Sequence, residues 1–185
     1  SAAGIRTTTL TIMSNDPDEE DYLLKIKGVG VFSQAITFED LPDPQYGDSP
    51  FMLSASATSG LPISFAASDP TVVSIVGASV TILKAGTVTI EASQPGNEYY
   101  KEADPAQQTL TIEKASLTVT ADDKTRSFGT DNTVFTVTYS GFVNDDDETT
   151  ITQPIATTEA STTSDVGTYD IVPAGGESDS YSFTF

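Results

Sequence analysis

Residues 107–126 read Gln-Gln-Thr-Leu-Thr-Ile-Glu-Lys-Ala-Ser-Leu-Thr-Val-Thr-Ala-Asp-Asp-Lys-Thr-Arg, and they constrain the fold more than any other stretch. Two segments, Thr109–Ile112 and Leu117–Thr120, alternate apolar and hydroxyl residues as half-buried strands do. Only Glu113-Lys114-Ala115-Ser116 separates them, with no Gly or Pro to turn the chain back into a hairpin. The first strand then closes one β-domain and the second opens the next. Domains connected this way are strung end to end on a short, stiff joint, as in a stalk or a repeat array.

The same period of two recurs along the chain, in Thr9–Ile12, Tyr22–Lys27, Ser79–Ile82, Thr87–Ile90, Phe135–Tyr139 and Tyr181–Phe185. Apolar side chains share one face of each segment, while Thr, Ser or Lys occupies the other, the pattern of a sheet with one face in a core and one in water. Turn clusters such as Ser59-Gly60-Leu61-Pro62, Ser68-Asp69-Pro70 and Lys84-Ala85-Gly86 break these strands at short intervals. No segment carries a helical period. The pattern predicts an all-β chain of short-stranded sandwiches.

Composition excludes several kinds of chemistry. The chain has 185 residues and neither Cys nor His, so it offers no disulfide framework, no thiolate metal site and no imidazole base. Eight Lys and Arg face 27 Asp and Glu, a net charge of −19. Such a surface repels nucleic acid and anionic lipid and attracts divalent cations. No run approaches the ~20 apolar residues of a membrane helix. No signal peptide is visible, since Ser1-Ala2-Ala3-Gly4 leads straight into a strand-like segment. The acidity is uneven: residues 1–33 carry three basic and five acidic groups, residues 34–113 two and ten, and residues 114–185 three and twelve. It belongs to the two downstream segments, as expected of comparable modules.

Three segments emerge, each with a family resemblance. Residues 1–33 hold two strands, 5–14 and 21–32, around the loop Asn15-Asp16-Pro17-Asp18-Glu19-Glu20. Thr-Leu-Thr-Ile-Met-Ser-Asn-Asp-Pro-Asp-Glu (9–19) and the closing Gly28-Val29-Gly30 resemble the C-terminal part of a choice-of-anchor D domain, a relative of the ASPM–SPD-2–hydin Ig-like family. An isolated hairpin is marginal in water, so this one is expected to end a larger sandwich. Residues 34–114 are similar to a bacterial Ig-like domain, through Ile36-Thr37-Phe38, Tyr46-Gly47-Asp48-Ser49-Pro50-Phe51, Asp69–Ile75, Ala78–Ile82, Ala85–Ile90 and Gly96-Asn97-Glu98-Tyr99-Tyr100. Residues 115–185 resemble an MBG-type Ig-like domain, through Leu117–Arg126, Tyr139-Ser140-Gly141-Phe142-Val143-Asn144-Asp145-Asp146 and Val166–Ile171. Such domains run on into one more strand, so this segment is expected to lack its last one. The resemblance implies tandem Ig-like β-sandwiches arranged end to end.

Acidic clusters are the remaining candidates for site chemistry. Calcium takes six to eight hard oxygen ligands. Asp145, Asp146, Asp147 and Glu148 form one run, and Asp16 and Asp18 sit in the first loop. These six are the candidate Ca²⁺ ligands. None follows the twelve-residue calcium-loop spacing, and a solvated turn on an acidic protein is the plainer explanation. Asp122-Asp123 follow the joint and carry the same ambiguity. Paired carboxylates for glycoside hydrolysis need a cleft that short sandwiches seldom form, and a Ser or Thr nucleophile lacks its histidine. Lys84 and Lys114 are potential donors of an isopeptide crosslink, with no acceptor marked beside them. Tyr46, Tyr99 and Tyr100 fit either a sugar-stacking platform or core edges with wet hydroxyls.

The chain is therefore expected not to be an enzyme and to need no cofactor, calcium being the one candidate ion. The resemblance implies a structural stalk or spacer in a large secreted or cell-surface bacterial adhesin-like protein, located outside the cell. Its partners are then neighbouring repeats of the same chain, with no nucleic acid and no membrane insertion. The alternative is a glycan- or protein-binding module of the same kind of surface protein.

Overall fold

The computed structural model describes residues 4–12 and 22–185. In chain order the strands are β1 (Gly4–Ile12), β2 (Tyr22–Gly30), β3 (Ile36–Phe38), β4 (Phe51–Met52), β5 (Ala55–Ala57), β6 (Ser64–Ala67), β7 (Val73–Val76), β8 (Ser79–Ile82), β9 (Gly86–Ser93), β10 (Ala106–Ile112), β11 (Ala115–Ala121), β12 (Val137–Ser140), β13 (Ile155–Thr157), β14 (Val172–Ala174) and β15 (Tyr181–Thr184). The described residues include no α-helix; Glu148–Thr150 makes a single 3₁₀ turn. The chain is all-β, as the alternation predicts.

Two compact units account for the described residues. One gathers those up to Asp40 with Ser54–Ala66 and Glu91–Gln108; the other gathers Leu41–Leu53, Ala67–Ile90 and Thr109–Phe185. The first unit holds the β1–β2 hairpin, antiparallel from Gly4↔Gly30 to Ile12↔Tyr22, and the β3–β5 pair. The loop expected between β1 and β2, with Asp16 and Asp18, lies outside the described residues. Phe38 packs against Phe65 with ring centroids 5.6 Å apart. Buried Gln94 serves as a polar hub here, accepting from Gln34 Nε2 at 2.8 Å and from the amide of Gly96. A buried amide without partners is costly, so this network ties the segment at Gln34 to the turn at Gly96.

The second unit carries the sheet β4-β8-β7, the sheet β12-β11-β15 and the pair β13-β14. Val73, Val80, Ile82, Val88 and Ile90 are buried, each on the dry face of its strand, while intervening Thr and Ser side chains stay wetter. In β11 the alternation is complete: Ala115, Leu117 and Val119 are buried, and Ser116, Thr118 and Thr120 are exposed. Burying a Leu or Val side chain contributes roughly 1.5–3 kcal/mol, so the dry stripe fixes which face of β11 turns inward. β12 pairs with β11 antiparallel, from Thr118↔Ser140 to Ala121↔Val137. β15 pairs with it in parallel, from Ala115↔Tyr181 to Thr118↔Thr184. A parallel partner requires a long crossover, and residues 122–180 supply it.

Candidate functional site: the joint around Tyr46, Asp146 and Tyr181

The joint is shorter than the sequence predicts. β10 ends at Ile112 and β11 begins at Ala115, leaving Glu113 and Lys114 between them. Glu113 is held through its backbone and Lys114 through its side chain, both within the second unit. The Glu113 amide donates to the Pro44 carbonyl at 2.9 Å, and the Glu113 carbonyl accepts from the Tyr46 amide at 2.9 Å, which makes a parallel bridge between Gln45 and Glu113. Lys114 Nζ donates to the Ser178 carbonyl at 2.6 Å, so this lysine anchors the crossover that leads into β15. The Ala115 amide donates to the Ser180 carbonyl at 2.9 Å, and the Ala85 amide to Ser180 Oγ at 3.4 Å.

Gln45–Asp48 is a tight turn. The Asp48 amide donates to the Gln45 carbonyl at 3.1 Å, and the Gln45 amide donates to Asp48 Oδ2 at 2.8 Å. Gly47 takes φ 97°, a left-handed value that glycine adopts without steric cost. The turn sets the Tyr46 ring on edge against Tyr181, centroids 5.6 Å apart at 90°. Tyr181 in turn meets Phe142 at 5.4 Å and 84°. Edge-to-face contacts of this kind contribute about 0.5–1.5 kcal/mol beyond their buried area. Tyr46 is 9% exposed and Tyr181 2% exposed.

The two phenols converge on one carboxylate. Tyr46 Oη donates to Asp146 Oδ2 at 2.9 Å, and Tyr181 Oη donates to the same oxygen at 2.7 Å. The Val143 amide donates to Tyr181 Oη at 3.0 Å. A phenol has one proton, and the carboxylate, as the charged acceptor at shorter range, takes it in preference to the Val143 carbonyl at 3.2 Å. Asp146 reaches this position because Asn144 (φ 55°) and Asp145 (φ 62°) are both left-handed, in a turn closed by the Asp146 amide on the Val143 carbonyl at 3.0 Å. Asn and Asp tolerate that conformation better than most side chains. Burial pushes the Tyr46 and Tyr181 phenols up from their ordinary range, and the Asp146 charge adds to the rise at both.

The acidic run 145–148 therefore divides into separate tasks. Asp146 receives the phenols. Asp147 caps the 3₁₀ turn, accepting from the Thr149 amide at 2.9 Å and from Thr149 Oγ1 at 2.6 Å, and these bonds hold its carboxyl below the usual range. Asp145 contributes a left-handed backbone, and Glu148 opens the 3₁₀ turn. No group of three Asp or Glu side chains able to hold a metal ion is present among the described residues. Asp122 accepts from Thr136 Oγ1 and from Thr138 Oγ1 at 2.7 Å, which lowers its carboxyl too. The Asp69 carboxyl is lowered chiefly by its bonds from Thr71, with a smaller contribution from the Lys84 charge, and Tyr100 packs on Phe32 at 5.5 Å while Tyr99 is exposed. The Tyr46 ring is buried and its hydroxyl is bound to Asp146, the arrangement of a core edge.

A second feature lies between residues 122–135 and 158–173, an open groove of about 920 Å³ rimmed by the exposed rings of Phe128, Tyr169 and Phe185. Arg126 ties its two walls together, donating to the carbonyl of Thr130 at 3.0 Å and to that of Ser161; Asn132 Nδ2 donates to the Ala160 carbonyl at 2.8 Å.

Phe142, Val143, Asp146 and Tyr181 fall in one continuous stretch of sequence, and that stretch matches a known family model. Residues 117–185 match the family model of the MBG domain (YGX type). No curated protein and no solved structure matches the chain. The MBG domain match covers Phe142, Val143, Asp146 and Tyr181, and Tyr46 lies 71 residues before its first position. The domain's buried end is thus completed by a side chain from outside the matched residues. Sequence reasoning did not foresee this pairing; the available signals were the Tyr-Gly-Asp turn and an Asn-Asp pair next to Phe142-Val143.

Proposed function

We propose that the chain is a structural stalk or spacer segment of a large secreted or cell-surface bacterial protein of the adhesin type, without catalysis and without a required cofactor. On this reading the first 33 residues end a choice-of-anchor D-type domain, residues 34–114 are a bacterial Ig-like domain, and neighbouring repeats are the natural partners. The observation that carries it is the two-residue joint, where both Glu113 backbone groups are paired, Lys114 is tied by its side chain, and the flanks are closed by buried aromatic packing. A connection built this way transmits load instead of bending. The charge of −19 keeps neighbouring stalks soluble and apart. No helix among the described residues is long and apolar enough to cross a membrane, and the spacer does not need one.

The test is replacement. In the parent protein, an unrelated rigid module of equal length in place of these residues should preserve display of whatever the protein presents. Loss of function that only the native residues restore would overturn the reading.

The groove under Phe128, Tyr169 and Phe185 favours a second reading, a module that binds a glycan or another surface protein. Aromatic rings beside polar groups in a cavity of this size suit a small ligand. Saturable binding lost in Tyr169→Ala and Phe128→Ala would support it; an inert groove leaves the spacer.

A further inference from the structure

We propose that the Gln45–Asp48 turn is an integral part of the MBG domain that follows it, a clamp over the end of its core, so that the Glu113–Lys114 joint opens only when that domain unfolds. The proposal deepens the spacer reading and rests on it for its use in the parent protein, while the clamp itself stands on contacts within one compact unit.

A two-residue linker between strands would ordinarily be the softest point of a tandem chain. Here, bending at Glu113 must break the Tyr46 amide to Glu113 carbonyl bond and the Glu113 amide to Pro44 carbonyl bond together. Both belong to one short bridge, so neither opens alone. Bending must also withdraw Tyr46 from its ring contact with Tyr181 and remove one of the two phenols from Asp146. The remaining partners cannot compensate. Tyr181 is buried in the sheet as the partner of Ala115, and the Asp146 carboxylate is fixed by a turn with two left-handed residues.

Steric fit adds an independent element. A Cβ at Gly47 would lie 2.6 Å from Val143 Cγ2, so the turn's backbone sits directly on the Val143 side chain. Lys114 and Ser180 close the opposite side through Ser178 and Ala85. The family match begins at Leu117, yet the physical edge of the domain includes the turn at 45–48. A clamp of this kind makes the joint and the domain one cooperative element, whereas a hinge would let them open separately.

Native-state hydrogen exchange on the full chain tests this, comparing the amides of Tyr46 and Glu113 with those of β11. The clamp predicts protection of Tyr46 and Glu113 within about threefold of β11, and a joint loss of protection at all of them in Gly47→Ala. Should Gly47→Ala fail to fold, Tyr46→Phe, which keeps the ring and removes the bond to Asp146, should lower protection in the joint and in β11 by the same factor. Amides of Tyr46 and Glu113 exchanging about a hundredfold faster than β11 in the unmodified chain would overturn the proposal. A variant that deprotects the joint and leaves β11 unchanged would do the same. Exchange reports on the clamp alone: a flexible joint would sink it and remove the spacer's main structural support, while the module-replacement test still decides the spacer reading independently. A ligand in the groove would count against the spacer and leave the clamp standing.

Discussion

Gly47 and Val143, 96 positions apart, meet so closely that any side chain at position 47 would have to displace the valine: an added Cβ would fall 2.6 Å from Val143 Cγ2 and 2.8 Å from its Cβ. The left-handed φ of 97° imposes the same choice from the backbone side. Two physical demands on one atom explain why a tight turn in one segment is matched to a valine in another.

Gly47→Ala is accordingly expected to be damaging. Strain at positive φ and overpacking each cost roughly 1–3 kcal/mol. A loss of about 2 kcal/mol lowers the midpoint by roughly 4–8 °C for a chain of this size. Calorimetry measures it; an unchanged midpoint would show that the turn lifts away from Val143 without cost.

Asp146 and Asp145 should respond unequally to Asn. Asp146→Asn weakens two charge-assisted bonds at once and is expected to cost about 1–3 kcal/mol. Asp145→Asn keeps a side chain that tolerates φ 62° and should stay within about 0.5 kcal/mol of the parent. Chemical denaturation of the two variants separates the bonded carboxylate from its neighbour. Equal effects would mean that the run acts only through its total charge.

Alkaline pH should open the same cluster. The Tyr46 and Tyr181 phenols are raised in the fold by burial first; Asn144 and the Val143 backbone offset this in part, and Asp146 reinforces it. A folded pKa above the unfolded value of ~10 means that this stability is complete below pH ~10 and is lost as pH climbs through the folded values. Phenolate absorbance should therefore show these tyrosines ionising only as the unit unfolds, with the alkaline limb flattened in Tyr46→Phe and Tyr181→Phe. Titration of all seven tyrosines near pH ~10 with the fold intact would contradict this.

Calcium should matter little. Asp146 and Asp147 each commit one carboxylate oxygen, to Tyr46 and Tyr181 and to Thr149, and no third acidic side chain joins them among the described residues to build the six or more ligands an ion takes. At fixed ionic strength, thermal midpoints in chelator, magnesium and calcium should coincide. A rise confined to calcium, abolished when Asp145, Asp146 and Asp147 become Asn, would establish a site.

The regular strands were legible because each has a wet and a dry face. Thr109–Ile112, Leu117–Thr120, Ser79–Ile82 and Tyr181–Thr184 all lie within strands of the structure. Short elements such as β4 and β14 carry too few residues to display a period. The parallel pairing of β15 with β11 spans a long crossover and leaves no local trace. Neither does a hydrogen bond between Tyr46 and Asp146, a hundred positions apart. In sequence, four carboxylates in a row look like a solvated or metal-binding loop. In the fold the chain assigns two to side-chain bonds and one to a left-handed backbone.

The central claim is that the joint does not bend, and a distance measurement across it is the most direct test. The chain has no native Cys, so spin labels at Val76→Cys and Ile155→Cys, exposed strand positions within the second unit, report on the joint alone. Electron–electron double resonance should return one narrow distance that broadens when Gly47→Ala is added. A broad or multiple distribution in the unmodified background would mean that Glu113 and Lys114 form a hinge, and the account of the joint would be wrong.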